Sequence, residues 1–126
     1  MAKSKQSVQI ERRRTPCPIA SSLDVIGDKW SLVIVRDLLT GKQRYSEFAE
    51  SPEHIPTNLL AARLKQLEAQ GLLTKEPYST KPLRHAYKLT QAGEDLLPVL
   101  QAVCRWASAH IADTWTPPAA FMAERR

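Results

Sequence analysis

The sequence predicts a mainly α-helical domain with a small β-hairpin, arranged as a winged helix-turn-helix. A leucine-rich stretch at 54–73, "HIPTNLLAARLKQLEAQGLL", carries leucines on one helical face and small or polar side chains on the other. A basic loop at 79–84, "STKPLR", follows between two short predicted strands. A short helix, a tight turn and a helix with a slim outer face form a helix-turn-helix, and a basic hairpin after it forms a wing.

Two helices are predicted before the helix-turn-helix, and a third, short helix is predicted as its first element. A first helix over roughly 18–27 follows from an apolar stripe that Gly27 ends. Residues 29–39, "KWSLVIVRDLL", are apolar nearly all round, which is typical of a central buried helix, and Gly41 ends it. Ser46 is predicted to cap a short third helix around "EFAE".

The leucine helix and the hairpin come next. Thr57 is expected to cap the leucine helix, and Gly71 is expected to end it. Strands fit residues near 72–78 and 85–89. A two-stranded hairpin alone is marginal in water, so we expect this one to pack on the helices.

A long last helix completes the predicted domain. Thr90 should cap it, and Pro98 should bend it because proline removes a backbone donor and clashes with the preceding turn. The predicted organisation is a disordered basic tail at 1–14, the winged domain with terminal dimerisation helices at 15–116, and a flexible tail at 117–126.

Charge is concentrated in two blocks of this 126-residue chain, whose formal net charge is +5. Residues 1–14 carry a net +4, and residues 57–88 carry another +4. Two basic blocks suggest contact with a polyanion. The alternative is a solvated surface with a disordered basic tail.

The slim face of the leucine helix fits a DNA major groove, which admits one helix. Asn58 can contact adenine with two hydrogen bonds, and Thr57 with the free N–H groups of the first turn suits a phosphate. Ala61 and Ala62 allow close approach, and their methyl groups can touch a thymine methyl. Lys65 reaches a phosphate or a guanine edge. The alternative is an ordinary amphipathic surface helix.

Further basic residues surround this face. Arg63 lies at the border of the apolar face and either contacts DNA or pairs internally with an acid. Lys81 and Arg84 on the hairpin tip could reach the DNA backbone or the minor groove, unless they form a solvated charged turn. Lys42 and Arg44, before the short helix, are weaker phosphate candidates.

The terminal helices carry more apolar surface than a small winged domain can cover, which predicts a two-fold homodimer. Intramolecular packing is the alternative. The candidate interface residues are Ile19, Leu23, Leu97, Leu100, Val103, Trp106, Ala107 and Ile111.

Other function classes find little support. His54, His85 and His110 lack metal-ligand spacing, and the chain has no Gly-rich phosphate loop or nucleophile elbow. We therefore expect no enzyme activity, no metal and no cofactor. The remaining alternative is a winged-helix module for protein or RNA contact, which predicts little preference for duplex sequence.

No membrane contact is expected, because no apolar run reaches the ~18 residues that cross a bilayer. The first 15 residues, "MAKSKQSVQIERRRT", lack an apolar signal core, so we expect a cytoplasmic protein.

Three segments resemble HxlR-type transcription regulators. They are "CPIASSLDVIGDKWSLVIVRDLLTGKQRYSEF", "IPTNLLAARLKQLEAQGLL" and, after a tyrosine, "LTQAGEDLLPVLQAV". The resemblance covers about residues 16–107. The family is similar to MarR regulators, which are winged helix-turn-helix homodimers. The resemblance implies that the leucine helix reads the major groove, that the hairpin is the wing, that terminal helices dimerise, and that the protein represses transcription from an operator.

Cys17 occupies the position that some family members use to sense oxidants or electrophiles. Arg12, Arg13 and Arg14 and the helix N-terminus that follows would favour its thiolate. The alternative is a small buried residue that packs the first helix. Cys104 has apolar neighbours at helical spacing and is interpreted as core or dimer interface.

Two positions depart from the family pattern. Pro56-Thr57 stands where the family commonly has Ser-Pro, which changes the first-turn residue that could touch phosphate. Arg84-His85-Ala86-Tyr87 stands where the second wing strand often reads Arg-Val-Glu-Tyr, so only Arg84 carries over well.

Overall fold

The computed structural model describes residues 8–10 and 14–124. It confirms the predicted fold class, because it is mostly helical with a two-stranded antiparallel hairpin. The elements in chain order are α1 (Pro18–Ile26), α2 (Ser31–Leu39), α3 (Tyr45–Ala49), α4 (Thr57–Ala69), β1 (Leu73–Thr80), β2 (Leu83–Leu89), α5 (Gln91–Glu94), α6 (Leu97–His110) and α7 (Ala119–Met122).

Two helix caps differ from the prediction. The N-cap of α3 is Arg44, not Ser46, and the Glu47 carboxylate accepts hydrogen bonds from the backbone N–H groups of Gln43 (2.8 Å) and Arg44 (2.9 Å). Pro56 is the N-cap of α4, and Thr57 is its first helical residue. A glutamate at the third helical position and a proline with fixed φ therefore set these two starts.

The predicted last helix is divided in two. Thr90 caps only the short α5, by accepting a hydrogen bond from the Gly93 N–H at 3.2 Å. Pro98 lies in the first turn of α6 and does not bend a longer helix, so that prediction is wrong. Proline suits this place because a first-turn N–H has no partner within the helix.

The main core forms around the inner face of α4. Leu60, Leu64 and Leu67 are 0–2% exposed and pack in one cluster with Ile34 of α2 and Phe48 of α3. A second cluster joins α2 to the C-terminal elements; its buried members are Val35, Leu97, Leu100 and Phe121. The contribution of α2 to both clusters confirms the prediction that it is a central, buried helix.

The hairpin is anchored to the helices at its base. Leu73 pairs with Leu89 at the base, and Thr80 pairs with Leu83 at the tip. The Tyr87 N–H donates to the Gln43 carbonyl at 2.7 Å, and the Tyr87 ring packs edge-on against Phe48. The hairpin therefore packs on the helices, as its marginal stability alone requires.

Residues 8–10 belong to the tail that was predicted to be disordered (1–14), yet they contact the folded domain; residues 1–7 and 11–13 lie outside the described residues. Val8 and Ile10 pack against the main core, and the Gln9 N–H donates to the Gln70 carbonyl at 2.9 Å. Val8 and Ile10 explain these contacts, because burial of their apolar side chains favours packing of an otherwise polar segment against the core.

Part of the segment at 117–126, which was predicted to be a flexible tail, likewise packs on the folded domain. Phe121 of α7 is only 7% exposed and belongs to the second core cluster. The Gln101 side-chain amide donates to the carbonyls of Phe121 (2.9 Å) and Ala123 (3.0 Å). The folded unit thus extends past 116, and residues 125–126 lie outside the described residues.

A polar network fixes the turn between α3 and α4 to the end of α2. The Asp37 carboxylate is buried and accepts hydrogen bonds from the Ser51 hydroxyl and from the Arg36 guanidinium, at 2.8 Å for the shortest guanidinium bond. Arg36 also donates to both carboxylate oxygens of Glu53, at 2.7 and 2.8 Å. Lys42 Nζ donates to Ser51 Oγ at 2.7 Å. A buried carboxylate needs such partners, because an unpaired one is costly.

This network gives stability a dependence on pH. The hydrogen bonds from Arg36 hold the pKa of Glu53 below its ordinary value of 4.5, against an opposing effect of burial. The stabilisation is therefore complete above pH 4.5 and is lost as the pH falls through the lower, folded-state pKa.

We expect Glu53→Gln to reduce the free energy of unfolding by about 1 kcal/mol at neutral pH, since the pair is partly exposed and screened by solvent. The difference from wild type should shrink as the pH falls below 4.5. Urea unfolding followed by circular dichroism between pH 3 and 7 measures both quantities. Glu76→Gln, at an exposed position of β1, is the control and should change stability little. A Glu53→Gln deficit that stays constant with pH would contradict this account.

Candidate nucleic-acid interface

The outer face of α4 is open to solvent along the residues that the sequence singled out. Burial of the three leucines turns the opposite side outward, where Thr57, Asn58, Ala61, Ala62 and Lys65 are all exposed. The two alanines leave a low surface between Asn58 and Lys65. This face can therefore bring its backbone close to another surface, with one amide and one ammonium beside the contact.

The N-terminus of α4 presents free backbone donors. Pro56 supplies no side-chain cap, and the first intrahelical bond runs from the Leu60 N–H to the Pro56 carbonyl at 2.9 Å. No side chain in the described part of the chain caps this end. First-turn N–H groups of this kind favour an anion such as a phosphate.

Tyr45 ties α3 to α4, a contact that the sequence analysis missed. Its hydroxyl donates to the Thr57 carbonyl at 2.7 Å, so the start of the short helix is bonded to the first turn of α4. The ring is partly exposed. The signal available in the sequence was a tyrosine at the first position of the short helix, close to the turn that joins the two helices.

Arg63 pairs internally, which is one of the two alternatives that the sequence left open. Its Nε lies 4.0 Å from the Asp28 carboxylate, and its guanidinium also contacts the Gln66 side chain. Asp28 in turn accepts from the backbone N–H groups of Trp30 and Ser31, both at 3.0 Å, at the start of α2. Arg63 thereby joins α4 to the α1–α2 junction.

The pKa of Asp28 is consistent with its pairing with Arg63. Burial raises its pKa, but hydrogen bonds from Ser31 and from the Trp30 backbone, together with the Arg63 charge, outweigh burial and hold the pKa below its ordinary value. Asp28 is thus charged at neutral pH where it meets Arg63 and the N-terminus of α2.

The wing presents its two predicted basic residues at the tip. Lys81 lies in the turn and Arg84 at the start of β2, and both are exposed. Arg44 extends the basic surface of the hairpin, with its guanidinium carbon 4.3 Å from the centre of the Tyr78 ring. Lys42, in contrast, is half-buried and bonded to Ser51, so it points away from this surface.

Cys17 lies at the N-cap of α1 with its side chain exposed. The alternative of a buried packing residue is therefore wrong. Arg14 forms an ion pair with Asp24 at 2.7 Å, so its charge is shared, and Arg12 and Arg13 lie outside the described residues. Cys104 is half-buried beside the second core cluster, as its apolar neighbours predicted.

Exposed apolar side chains lie on α1 and on the outer side of α6. Ile19 is 72% exposed and Trp106 is 61% exposed; Leu23, Val103 and Ile111 are also exposed, while Ala107 is half-buried. We call these six residues the apolar face.

Leu97 and Leu100 do not lie on this exposed surface, although the sequence analysis placed them in the predicted dimer interface. Both are buried within the chain, in the cluster with Val35 and Phe121. They occupy the side of α6 that turns toward α2, and α7 covers it further.

Two negative findings concern the described residues alone. They contain no cluster of three or more His, Cys, Asp or Glu side chains that could hold a metal ion. Among their helices, none combines the length and the apolar character that a membrane span requires.

Known proteins match this chain over most of its length. The family model for HxlR-like helix-turn-helix domains matches residues 25–114. Rv3095 of Mycobacterium tuberculosis (strain H37Rv), named as an HTH-type transcriptional regulator, is 33% identical over 100 residues. That alignment covers 79% of this chain and 63% of Rv3095, so the chain spans less than two thirds of this relative.

Solved structures share the fold. The redox regulator HypR in its reduced form is 32% identical, with a TM-score of 0.69 over 75% of this chain and 94% of that chain. The reduced transcriptional regulator YodB from B. subtilis is 28% identical, with a TM-score of 0.65 over 80% of this chain and 100% of that chain.

These proteins are regulators, and Rv3095 and YodB are transcriptional regulators by name. The chain belongs to the HxlR-like helix-turn-helix family of transcription regulators.

Proposed function

We propose that this protein binds an operator in double-stranded DNA as a homodimer and represses transcription. The observation that carries the proposal is the slim outer face of α4, with Asn58 and Lys65 exposed on either side of two alanines. A helix of this shape enters the major groove, where an amide can read adenine and a methyl group can meet thymine.

Phosphate contacts would come from two places around that face. The first-turn N–H groups of α4 suit one phosphate, and the wing tip with Lys81 and Arg84 suits the backbone beside the groove. Arg63 supports recognition by holding α4 in place through Asp28, and its direct DNA role is correspondingly small.

The apolar face supports the homodimer. Isolated exposed hydrophobes are common, but α1 and α6 expose several large apolar side chains, among them Ile19, Leu23 and Trp106. A two-fold dimer would set two copies of α4 one turn of DNA apart, about 34–36 Å. Repression is the expectation that the resemblance to the family gives.

The proposed function is tested by fluorescence anisotropy of the reduced protein with two duplexes near physiological salt. One duplex is the intergenic DNA upstream of its own gene, and the other is a scrambled copy. A preference of roughly 10³-fold or more supports an operator-binding protein. Equal weak binding to both duplexes, and to operator candidates selected from the genome, would instead favour the protein- or RNA-contact module.

Asn58→Ala and Lys81→Ala should separate base reading from phosphate contact. Asn58→Ala should cost about 1–3 kcal/mol on the preferred duplex and relax the sequence preference. Lys81→Ala should weaken all duplexes alike and reduce the slope of affinity against salt by about 1. Anisotropy titrations at several salt concentrations give both values.

Lys88→Ala is the matched control for the wing. Lys88 is exposed on the same strand as Arg84, but it lies at the base of the hairpin, beside Gln43 and Glu94. It should leave affinity nearly unchanged. If Asn58→Ala kept the full sequence preference, the assignment of base reading to α4 would be wrong.

Trp106→Glu should convert the dimer to a monomer, because it places a charge in the centre of the apolar face. Sedimentation equilibrium at micromolar concentration should give twice the chain mass for wild type and the single mass for the variant. Leu83→Glu, which changes an exposed leucine on the wing, should remain dimeric. A monomeric wild-type protein would reject the dimer.

We also propose that Cys17 makes DNA binding responsive to oxidants or small electrophiles. Its exposure at a helix N-terminus supports access and reactivity, and the similarity to the redox regulator HypR adds to this support.

Diamide or a quinone should lower the operator affinity of wild type but not of Cys17→Ser, in the same anisotropy assay. Cys104→Ser, which changes the half-buried cysteine, is the control and should respond as wild type does. Equal responses of wild type and Cys17→Ser would refute a sensing role for Cys17.

A further inference from the structure

Arg44 lies where α3 meets the wing, and its backbone is held from two sides. It forms an antiparallel bridge with Ala86 of β2, and the preceding Gln43 carbonyl accepts a hydrogen bond from the Tyr87 N–H at 2.7 Å. The Glu47 carboxylate accepts a hydrogen bond from the Arg44 N–H at 2.9 Å. The Arg44 side chain therefore starts from a backbone position that the wing and α3 fix together.

The same junction reaches the N-terminus of α4. Tyr45 follows Arg44 directly, and its hydroxyl donates to the Thr57 carbonyl in the first turn of α4 at 2.7 Å. Arg44 is thus flanked by a contact to the wing and a contact to α4. A helix in the major groove and a wing at the adjacent minor groove lie on either side of one phosphate backbone.

The Arg44 guanidinium lies over the ring of Tyr78. Its central carbon is 4.3 Å from the ring centre, which is the geometry of a cation–π contact. In the described part of the chain the guanidinium forms no ion pair, and the nearby Glu47 carboxylate instead accepts from the backbone N–H groups of Gln43 and Arg44. Both side chains of the Arg44–Tyr78 pair are exposed. The guanidinium donors are therefore accessible to an anion from solvent.

An irregularity in the register of β1 coincides with Tyr78. Pro77 pairs with His85 of β2. The next pair along the hairpin is Ser79 with Arg84, which leaves Tyr78 opposite no residue of β2. An extra residue of this kind redirects a side chain, and such bulges are common next to functional sites. The hairpin thus gives up one pairing at the residue whose ring meets Arg44.

We propose that Tyr78 is a positioning residue for DNA binding, because its ring holds the Arg44 guanidinium toward the phosphate backbone that runs between α4 and the wing. Arginine presents a rigid fork of N–H donors that can bond to two oxygens of one phosphate. This contact rests on the proposed function and adds a third phosphate site to the first turn of α4 and the wing tip. It contributes affinity and register but carries no sequence information.

The test measures duplex affinity and its salt dependence by fluorescence anisotropy, with the full chain and both duplexes described above. Arg44→Gln should weaken both duplexes alike, by roughly tenfold near physiological salt. It should also reduce the slope of log affinity against log salt by about 1. Arg44→Lys keeps the charge but lacks the planar fork, so it should keep the slope and recover only part of the affinity.

The role of Tyr78 is tested through its dependence on Arg44. Tyr78→Phe retains the ring and should keep the affinity within about twofold of wild type. Tyr78→Leu removes the ring and should weaken binding roughly two- to fivefold. When Arg44→Gln is already present, Tyr78→Leu should cause no further loss, because the ring acts only through the guanidinium. A purely structural role in the hairpin would instead weaken binding by the same factor in both backgrounds.

Arg105→Gln is the matched control for charge. Arg105 is an exposed arginine on α6, which packs against α2. Its loss should leave both the affinity and the salt slope nearly unchanged. Thermal unfolding followed by circular dichroism verifies that every variant is folded.

Two results would overturn the inference and leave the proposed function in place. The first is equal affinity and equal salt slope for wild type and Arg44→Gln. The second is an equal loss on Tyr78→Leu with and without Arg44. If wild type bound neither duplex even at low salt, the proposed function would fail and this inference would fail with it.

Discussion

Burial of the inner face of α4 is the constraint on which the rest of the structure depends. Leu60, Leu64 and Leu67 leave water almost completely, in contact with residues of α2 and α3. Three buried leucines contribute several kcal/mol by apolar burial, which is comparable to the net stability of a small domain. Because the side chains of a helix are fixed relative to one another, this burial also determines that Asn58 and Lys65 face outward.

A polar network provides what apolar packing cannot, namely a defined turn between α3 and α4. Asp37 is buried with Arg36 and Ser51 as partners, and Arg36 also bonds to Glu53 within the turn. Hydrogen bonds have directional geometry, so they set the angle at which α4 leaves the turn. Arg36 and Asp37 of this network also line the cavity that opens between the C-terminal end of α2 and the second half of α6.

The basic surface and the apolar face lie on different elements of the fold. The basic surface comprises the outer face of α4 and the wing tip, and the apolar face comprises α1 and the outer side of α6. Charges near an apolar interface would cost desolvation, and exposed hydrophobes near DNA would gain little from phosphate contacts. Phe121 of α7 packs with Leu97 and Leu100 on the inner side of α6, so the outer side of α6 stays exposed.

Periodicity and turn residues in the sequence determined the order of the elements from α1 to the hairpin, the buried face of α4, the basic wing tip and the end of α4 at Gly71, because each depends on local spacing. The tertiary structure alone decided that Arg63 turns to Asp28, that Leu97 and Leu100 are internal, and that Phe121 orders the predicted tail. An apolar stripe in the sequence indicates that one face of a helix is buried, but it does not identify the residues that bury it. A charged side chain likewise takes its role from the groups that the fold brings near it, and these come from distant parts of the chain.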